Sequence, residues 1–224
     1  MLVSPLLAAA LAVAPLAGPA PRADPQAVAA LKAQAERVIV AASAQAQFAD
    51  DTRWDLPAVR HRASGLRCLF QPNDAGNNRI VQIGSIGTGG GGVGCHSRPS
   101  GFAQKLEAVR LGSGESLETV FEGSVRNITS QRRDARAYEG PLTQIRIEPQ
   151  PGGPQPAEAR TARYLLSKNG SEVFSMVSVA VVGDWVVRQY LEAPAAQAEE
   201  ADMLAGVVMS TTLIDLAERR ASGA

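Results

Sequence analysis

The last third of the chain carries the clearest alternation of apolar and polar positions. Two turn dipeptides, Asn169-Gly170 and Gly183-Asp184, separate three runs rich in β-branched and aromatic residues. Both dipeptides suit the tight turns that join antiparallel strands, so the pattern predicts a three-stranded meander over 160–191. The middle run, 172–182, is apolar at both alternating sets of positions. Such a strand is covered on both faces, and we expect it to be central in its sheet.

Three other segments repeat apolar residues every three or four positions, which indicates helices. The first predicts a helix over 25–47, the second begins at the N-cap candidate Ser116, and the third is opened by Pro194 and closed by Arg219-Arg220. In the last two, acidic residues near the start and basic residues near the end match the helix dipole. Shorter β-like runs occupy 66–70, 79–83, 93–97, 103–111 and 143–147.

This order of elements predicts an α+β fold. We expect an antiparallel sheet that includes the C-terminal three-stranded meander, with the long C-terminal helix and the further helices packed on one face. The chain does not alternate single strands with single helices, as a doubly wound parallel sheet requires. Roughly 200 residues can bury one sizeable core, so we expect a single α+β domain over 24–224.

The apolar N-terminus predicts a secretory signal peptide over 1–23. An apolar run at 6–16 is followed by small residues as far as Ala23, and prolines interrupt it. It is too short and too broken to span a bilayer as a stable helix. No Lys or Arg precedes the run, and the alternative is a disordered tail rich in Ala and Pro. We expect export, with a mature protein that is soluble in the periplasm and has no transmembrane segment.

Charge and aromatic content argue against nucleic acid as a partner. The chain has 22 basic and 22 acidic side chains, and aromatic residues make up 4% of it. Removal of 1–23 would take away one basic residue, Arg22, and leave a net charge of about −1. Such a balance lacks the basic footprint expected of nucleic-acid binding and of binding to an anionic membrane surface.

Cys68 and Cys95 are the only cysteines, and they are 27 residues apart. In an exported chain they predict one structural disulfide, which would contribute about 3–4 kcal/mol by loop closure. The alternatives are two free thiols or a redox pair. Redox pairs usually lie closer together, as in Cys-x-x-Cys, and that spacing is absent.

A glycine tract at 84–94 contains the pattern G-x-G-x-x-G at Gly87, Gly89 and Gly92. A dinucleotide site would need a helix directly after this pattern to bind the pyrophosphate. Val93-Gly94-Cys95 follows instead, and we expect a flexible surface loop. The sequence therefore predicts no cofactor.

The two histidines, His61 and His96, are the remaining candidates for chemistry. A zinc site needs three or four ligands, so no metal is expected. A nucleophilic serine could be paired with either histidine, although no G-x-S-x-G motif supports this. The candidate serines are Ser64, Ser85, Ser97 and Ser100. We assign no catalytic residue and take His61, Ser64 and His96 as a candidate functional surface.

A set of aromatic and methionine side chains could line a space between the sheet and the C-terminal helix. Such spaces hold apolar ligands in several folds, although an ordinary core is the simpler interpretation. The set is Phe174, Met176, Trp185, Tyr190, Met203 and Met209.

The segments Ser64-Gly65-Leu66-Arg67-Cys68 and Val93-Gly94-Cys95 resemble a pattern in small exported proteins of Gram-negative bacteria to which no activity is assigned. The resemblance implies that the two cysteines form the disulfide pair. The stretch 174–194, with Gly183-Asp184-Trp185, is similar to the closing part of those chains. The ending of a hairpin followed by a helix is also loosely similar to PsbP-like α+β architectures, an analogy of fold alone.

These observations favour a non-enzymatic binding or accessory protein of the cell envelope, whose partner is an envelope protein or a small ligand. A hydrolase that uses His61 or His96 with a loop serine is the first alternative. A carrier of an apolar ligand beneath the C-terminal helix is the second.

Overall fold

The computed structural model describes residues 24–53, 55–84, 90–132, 134–141, 147 and 149–223. Within these residues it has three helices and ten strands. They are α1 (Pro25–Ala41), β1 (Phe48–Asp50), β2 (Ala58–His61), β3 (Arg67–Leu69), β4 (Arg79–Ile83), β5 (Gly92–Ser97), β6 (Ala103–Arg110), α2 (Leu117–Gln131), β7 (Arg136–Ala137), β8 (Ala159–Lys168), β9 (Ser171–Val182), β10 (Trp185–Pro194) and α3 (Ala198–Ser222).

The strands form two antiparallel sheets, and the predicted α+β class is confirmed. The small sheet has the order β1-β2-β3, and the large sheet has the order β4-β5-β6-β10-β9-β8-β7. The predicted meander is β8, β9 and β10, with β9 between its two partners. Asn169 and Gly170 both have positive φ, as the expected hairpin turn requires.

One face of the large sheet carries an apolar layer made of two core clusters. α1, the small sheet and α3 pack on this face, and Phe174, Met176 and Ala180 of β9 point toward it. The disulfide between Cys68 of β3 and Cys95 of β5 lies in the layer and joins the two sheets, with the Cα atoms 6.0 Å apart. The predicted cysteine pairing is therefore confirmed.

A buried ion-pair network joins the small sheet to α3. Arg60 of β2 donates to Asp215 of α3 at 2.5 Å, to Asp51 at 2.6 Å and to the carbonyl oxygen of Gly65 at 2.7 Å. Its side chain is 8% exposed. The pKa of Arg60 is raised, because its hydrogen bonds and charge interactions with Asp215 and Asp51 outweigh the effect of burial. The small sheet is thus fastened by a covalent bond and by a network of charges.

α2 packs on the opposite face of the large sheet, so the expectation that all the helices pack on one face was wrong. A capping box starts the helix: Ser116 Oγ accepts from the N–H of Thr119, and Thr119 Oγ1 accepts from the N–H of Ser116. Its apolar stripe covers Val177 and Val179 of β9 and Val186 of β10. On this face β4, β5 and β6 carry charged side chains that line a cleft beside the helix.

α1 ends at Ala41, short of the predicted 25–47. Ser43 adopts a positive φ of 51°, and the N–H of Ala44 bonds to the carbonyl oxygen of Ile39, so the chain turns away from the helix axis. Phe48 then enters β1, where its side chain is 1% exposed. Sequence periodicity extended the helix because the turn residues are themselves alanine-rich.

The glycine tract lies only partly within the described residues, since 85–89 fall outside them. Gly92 and Gly94 belong to the buried strand β5, so that part of the tract is a strand rather than the expected flexible surface loop. An added Cβ at Gly92 would lie 2.5 Å from the carbonyl oxygen of Ala108 on β6, which only glycine avoids. The strand predicted at 143–147 also falls outside the described residues, apart from Ile147. Over the described ranges, no helix combines the length and apolarity needed to cross a membrane.

Candidate functional site

A row of polar side chains crosses four strands on the α2 face of the large sheet. Arg79 of β4 is the register partner of His96 of β5, which is opposite Lys105 of β6, which in turn is opposite Tyr190 of β10. Directly opposed residues have Cβ atoms about 4.5–5.5 Å apart and point to the same face. The half-buried imidazole of His96 therefore lies between two exposed cations.

The next row of residues on the same face carries no net charge, because its two charged side chains form an ion pair. Arg188 of β10 donates to Glu107 of β6 at 3.0 Å, and the two side chains are 12% and 14% exposed. Gly94 occupies the same row on β5, and an added Cβ there would lie 3.1 Å from both Glu107 Cγ and Val81 Cγ2. The close approach of Glu107 and Val81 thus leaves little room for a side chain at position 94.

A cleft of ≈ 650 Å³ opens over these rows, and we call it the basic cleft. α2 and the chain that follows it form one wall with Asn127, Ile128 and Arg132. On another side Lys168 of β8 forms an ion pair with Glu192 of β10 at 2.5 Å. The volume is that of a small-molecule site.

The basic cleft has more positive than negative charge. Six basic and two acidic residues line it, and both acidic residues are held in the ion pairs with Arg188 and Lys168. Within the described part of the chain, no acidic side chain lies within ion-pair distance of the other four cations. These are Arg79, Arg98, Lys105 and Arg132. In a chain of zero net charge, four cations in one concavity without an acidic partner among the described residues create a local positive potential.

The pKa of the His96 imidazole depends on the charges beside it. Burial lowers the pKa of its imidazole below the ordinary value, and the positive charges of Lys105 and Arg79 lower it further. The ring is therefore neutral at neutral pH. An anion bound against the row would offset the two cations and favour protonation of His96.

The other predicted histidine lies on the opposite side of the large sheet. His61 ends β2, and its ring contacts Phe48 at 5.2 Å and Trp185 at 5.6 Å between centroids. Ser64 Oγ lies 2.8 Å from His61 Nδ1. The structure thus brings His61 and Ser64 together and separates both from His96.

The His61–Ser64 pair has the geometry of a turn cap. The N–H of Ser64 donates to His61 Nδ1 at 3.2 Å, and Ser64 Oγ accepts from the N–H of Leu66 at 3.2 Å. The N–H of Gly65 closes the turn on the carbonyl oxygen of His61. His61 is 5% exposed, and burial, followed by the charge of Arg110, lowers its pKa.

The other candidate residues do not form a site. Ser97 is among the residues that line the basic cleft, but its side chain alternates with that of His96 along β5. Ser100 lies in a 3-10 turn, and Ser85 is outside the described residues. The described ranges contain no group of three or more His, Cys, Asp or Glu side chains that could hold a metal ion.

The aromatic and methionine set is divided between the two faces. Phe174, Met176 and Met209 are buried in the apolar layer beneath α3, where they pack as core. Tyr190 lies on the opposite face and lines the basic cleft.

Sequence reasoning located His96 but missed the cations beside it. Arg79, His96 and Lys105 each lie on a different strand, so no local spacing joins them. The available signal was that each occupies an outward-facing position in one of three consecutive strands, and their alignment appears once the register is known.

No family model and no curated protein matches the chain. Among solved structures it is similar to PA94, a protein of unknown function from Pseudomonas aeruginosa, with 11% identity, 70% of this chain and 94% of that chain covered, and a TM-score of 0.35. It is also similar to LpqN of Mycobacterium tuberculosis, described as involved in cell envelope biogenesis, with 14% identity, coverage of 64% and 84%, and a TM-score of 0.31. At these TM-scores neither likeness carries an argument about function.

Proposed function

We propose that this protein is a non-enzymatic binding protein of the cell envelope that holds an anionic small molecule in the basic cleft. The observation that supports this proposal is the cross-strand row Arg79–His96–Lys105, whose two cations have no acidic partner within the described residues. Arg98 and Arg132 add two further cations at the walls.

Arg79 and Lys105 flank His96 from β4 and β6, two strand spacings or about 9–10 Å apart. Neither has an acidic partner within the described residues, so the fold gains no ion pair from this arrangement. An oxyanion placed over His96 would be attracted by both neighbours. Guanidinium groups bind phosphate and carboxylate oxygens through two parallel hydrogen bonds, and three of the four unpaired cations are arginines.

The size of the basic cleft sets the class of ligand. A volume of ≈ 650 Å³ is larger than a single phosphate needs and fits a small molecule that carries two or more oxyanion groups. The side chains of Ile128 and Tyr190 give the cleft an apolar portion. We therefore propose a phosphate- or carboxylate-bearing organic ligand.

The disulfide supports an envelope location. Disulfides persist in oxidising compartments such as the bacterial periplasm and are rare in the cytosol. The signal peptide predicted at 1–23 agrees with this location and stays a prediction. In this proposal the mature protein works in the periplasm.

The test is calorimetric titration with pyrophosphate, citrate and glycerol phosphate at constant ionic strength. We compare the wild type with Arg79→Ala/Lys105→Ala. The matched control is Lys32→Ala/Arg37→Ala, which removes the same charge from exposed positions on α1 across the sheet. Losing two charge-assisted contacts should weaken binding by about tenfold or more in the cleft variant and leave the control unchanged.

Two outcomes would overturn the proposal. One is that none of the three anions binds the wild type. The other is that the cleft variant and the control variant bind equally well. Comparison of the three anions also shows whether phosphate or carboxylate groups are preferred.

One observation favours a hydrolase as a second candidate, namely the 2.8 Å approach of Ser64 Oγ to His61 Nδ1. It ranks below the first because the same Nδ1 also accepts the Ser64 N–H and the ring is 5% exposed. A nucleophilic serine should react with a fluorophosphonate reagent, and Ser64→Ala should abolish the labelling. Absence of labelling in the wild type would exclude this candidate.

A further inference from the structure

A second concavity lies beneath the C-terminal end of α3, on the opposite side of the large sheet from the basic cleft. Its volume is ≈ 540 Å³, and we call it the arginine groove. The turn after β2, the start of β10 and the last turns of α3 line it. Among the residues that line it are Arg62, Ser64, Arg110, Trp185, Arg219 and Arg220.

The charge of the arginine groove is only partly neutralised. Asp215 and Asp51 are already held by Arg60, and Asp215 lies 3.9 Å from Arg219. Arg110 reaches Asp184 at 3.4 Å, but that carboxylate is 85% exposed, so water screens the pair. Within the described residues, Arg62 and Arg220 have no acidic side chain within ion-pair distance. Several guanidinium groups therefore face one concavity, and their N–H donors are available to a ligand.

Packing fixes two of these guanidinium groups in place. The guanidinium of Arg110 lies 4.3 Å from the centroid of the Trp185 ring, a cation–π distance. Arg219 is held against the turn after β2, since an added Cβ at Gly65 would lie 3.6 Å from Arg219 Cδ. The Nε of Arg219 is buried and makes no hydrogen bond within the described structure. The donors are thus pre-positioned, which lowers the ordering cost of binding.

We infer that the arginine groove is a second binding site, specific for an oxyanion group of the phosphate or carboxylate class. Arg62 and Arg219 hold the anion from the two sides, and Arg110, stacked on Trp185, completes the set. This inference goes beyond the proposed function, because it uses none of the residues of the basic cleft.

The fluorescence emission of Trp185 can be used to detect binding in the arginine groove. The chain has two tryptophans, so Trp54→Phe leaves Trp185 as the only one. In that background we titrate inorganic phosphate, and separately citrate, against potassium chloride of equal ionic strength. An anion that engages Arg110 changes the environment of the ring, and we expect a saturable change in Trp185 emission that chloride does not reproduce.

Two variants test the assignment in the same Trp54→Phe background. Arg62→Ala removes an exposed side chain, and Arg219→Gln keeps most of the buried stem. Each should raise the anion concentration at half-saturation about tenfold or more. Arg79→Ala/Lys105→Ala should leave the emission titration unchanged, and calorimetry on that variant should still detect phosphate or citrate bound at one site.

The two proposals fail in different ways. An emission change that chloride reproduces, or that persists unaltered in both arginine variants, overturns the arginine groove and leaves the basic cleft untouched. Loss of the emission change in Arg79→Ala/Lys105→Ala assigns the signal to the basic cleft and also overturns the groove. If emission does not respond and calorimetry finds no site in that variant, the groove binds no oxyanion.

Discussion

Two regions on opposite faces of the large sheet use their polar groups in opposite ways: the junction of the small sheet with α3, on the first face, and the row Arg79–His96–Lys105, on the second face. At the junction, charges are buried in pairs, as Arg60 is with Asp51 and Asp215, and a disulfide crosses between the sheets. On the α2 face, β4 to β6 bring Arg79 and Lys105 against a histidine with no acidic partner within the described residues. Charges that are paired inside the molecule serve the fold, whereas unpaired charges in a concavity are available to a ligand.

Removing the disulfide should have the largest effect on the first face. Cys68→Ala/Cys95→Ala should lower the free energy of unfolding by about 3–4 kcal/mol, because the unfolded chain regains the entropy of an open loop. Chemical denaturation of the two proteins measures this difference. Anion binding by the folded variant should persist, since the basic cleft faces the other side of the sheet. A loss below about 1 kcal/mol would show that the apolar layer and the Arg60 network hold the small sheet without the cross-link.

Removing Arg60 should come next. Arg60→Ala removes the nearest cation of Asp215 and one of the arginines that bind Asp51, and should cost about 3 kcal/mol of stability, as expected when a buried pair is broken. Arg53→Ala is the matched control, because Arg53 also binds Asp51 but is 53% exposed. Exposed pairs contribute about 0–1 kcal/mol, so this control should barely change the denaturation midpoint. Equal losses in the two variants would contradict the contrast between buried and exposed pairing.

Low pH should lower the free energy of unfolding, because it protonates Asp51 at the junction of the small sheet with α3. Burial acts to raise the pKa of this carboxyl, but the hydrogen bond and charge of Arg60, with Arg53 and Arg67, outweigh it and hold the pKa below its ordinary 3.8. A lowered folded pKa gives stability that is present above the unfolded pKa and lost as the pH falls through the folded one. Below about pH 4 the unfolding free energy of the wild type should therefore fall more steeply than that of Asp51→Asn. Parallel pH profiles would refute this role.

The smallest predicted effect belongs to the second face and concerns His96. Its pKa is lowered in the free protein by burial, Lys105 and Arg79, and a bound anion should raise it. Binding then takes up a proton, so affinity should rise by about a few-fold as the pH falls through the range between the two pKa values. His96→Gln should flatten this dependence, while His61→Gln should preserve it. Calorimetry at several pH values provides the measurement.

The comparison also shows which features local sequence can predict. The meander of β8, β9 and β10 followed from two turn dipeptides and a period of two, because hairpin pairing is local. The contact between His61 and Ser64 was accessible for the same reason, since they are three positions apart in the chain. The N-cap residue Ser116 was likewise visible as a helix start, whereas its capping box with Thr119 appears only in the structure.

The basic cleft and the cross-links depend on distant parts of the chain. Tyr190 joins the row because β10 pairs with β6, far away in sequence, and Arg60 meets Asp215 only when α3 packs beside the small sheet. Each unpaired cation of the cleft looks like an ordinary surface residue in its own strand. They form a site only because the pairing register of the strands aligns them. Periodicity within one strand carries no information about that register.

Histidine NMR tests the central claim most directly, because the protein has two histidines and only one of them lies in the basic cleft. The His96 imidazole signal, assigned with His96→Gln, is followed during titration with pyrophosphate at constant ionic strength. We predict a saturable shift of the His96 signal toward the protonated position, and its loss in Arg79→Ala/Lys105→Ala. A His96 signal that stays fixed through the titration would contradict the proposed anion site.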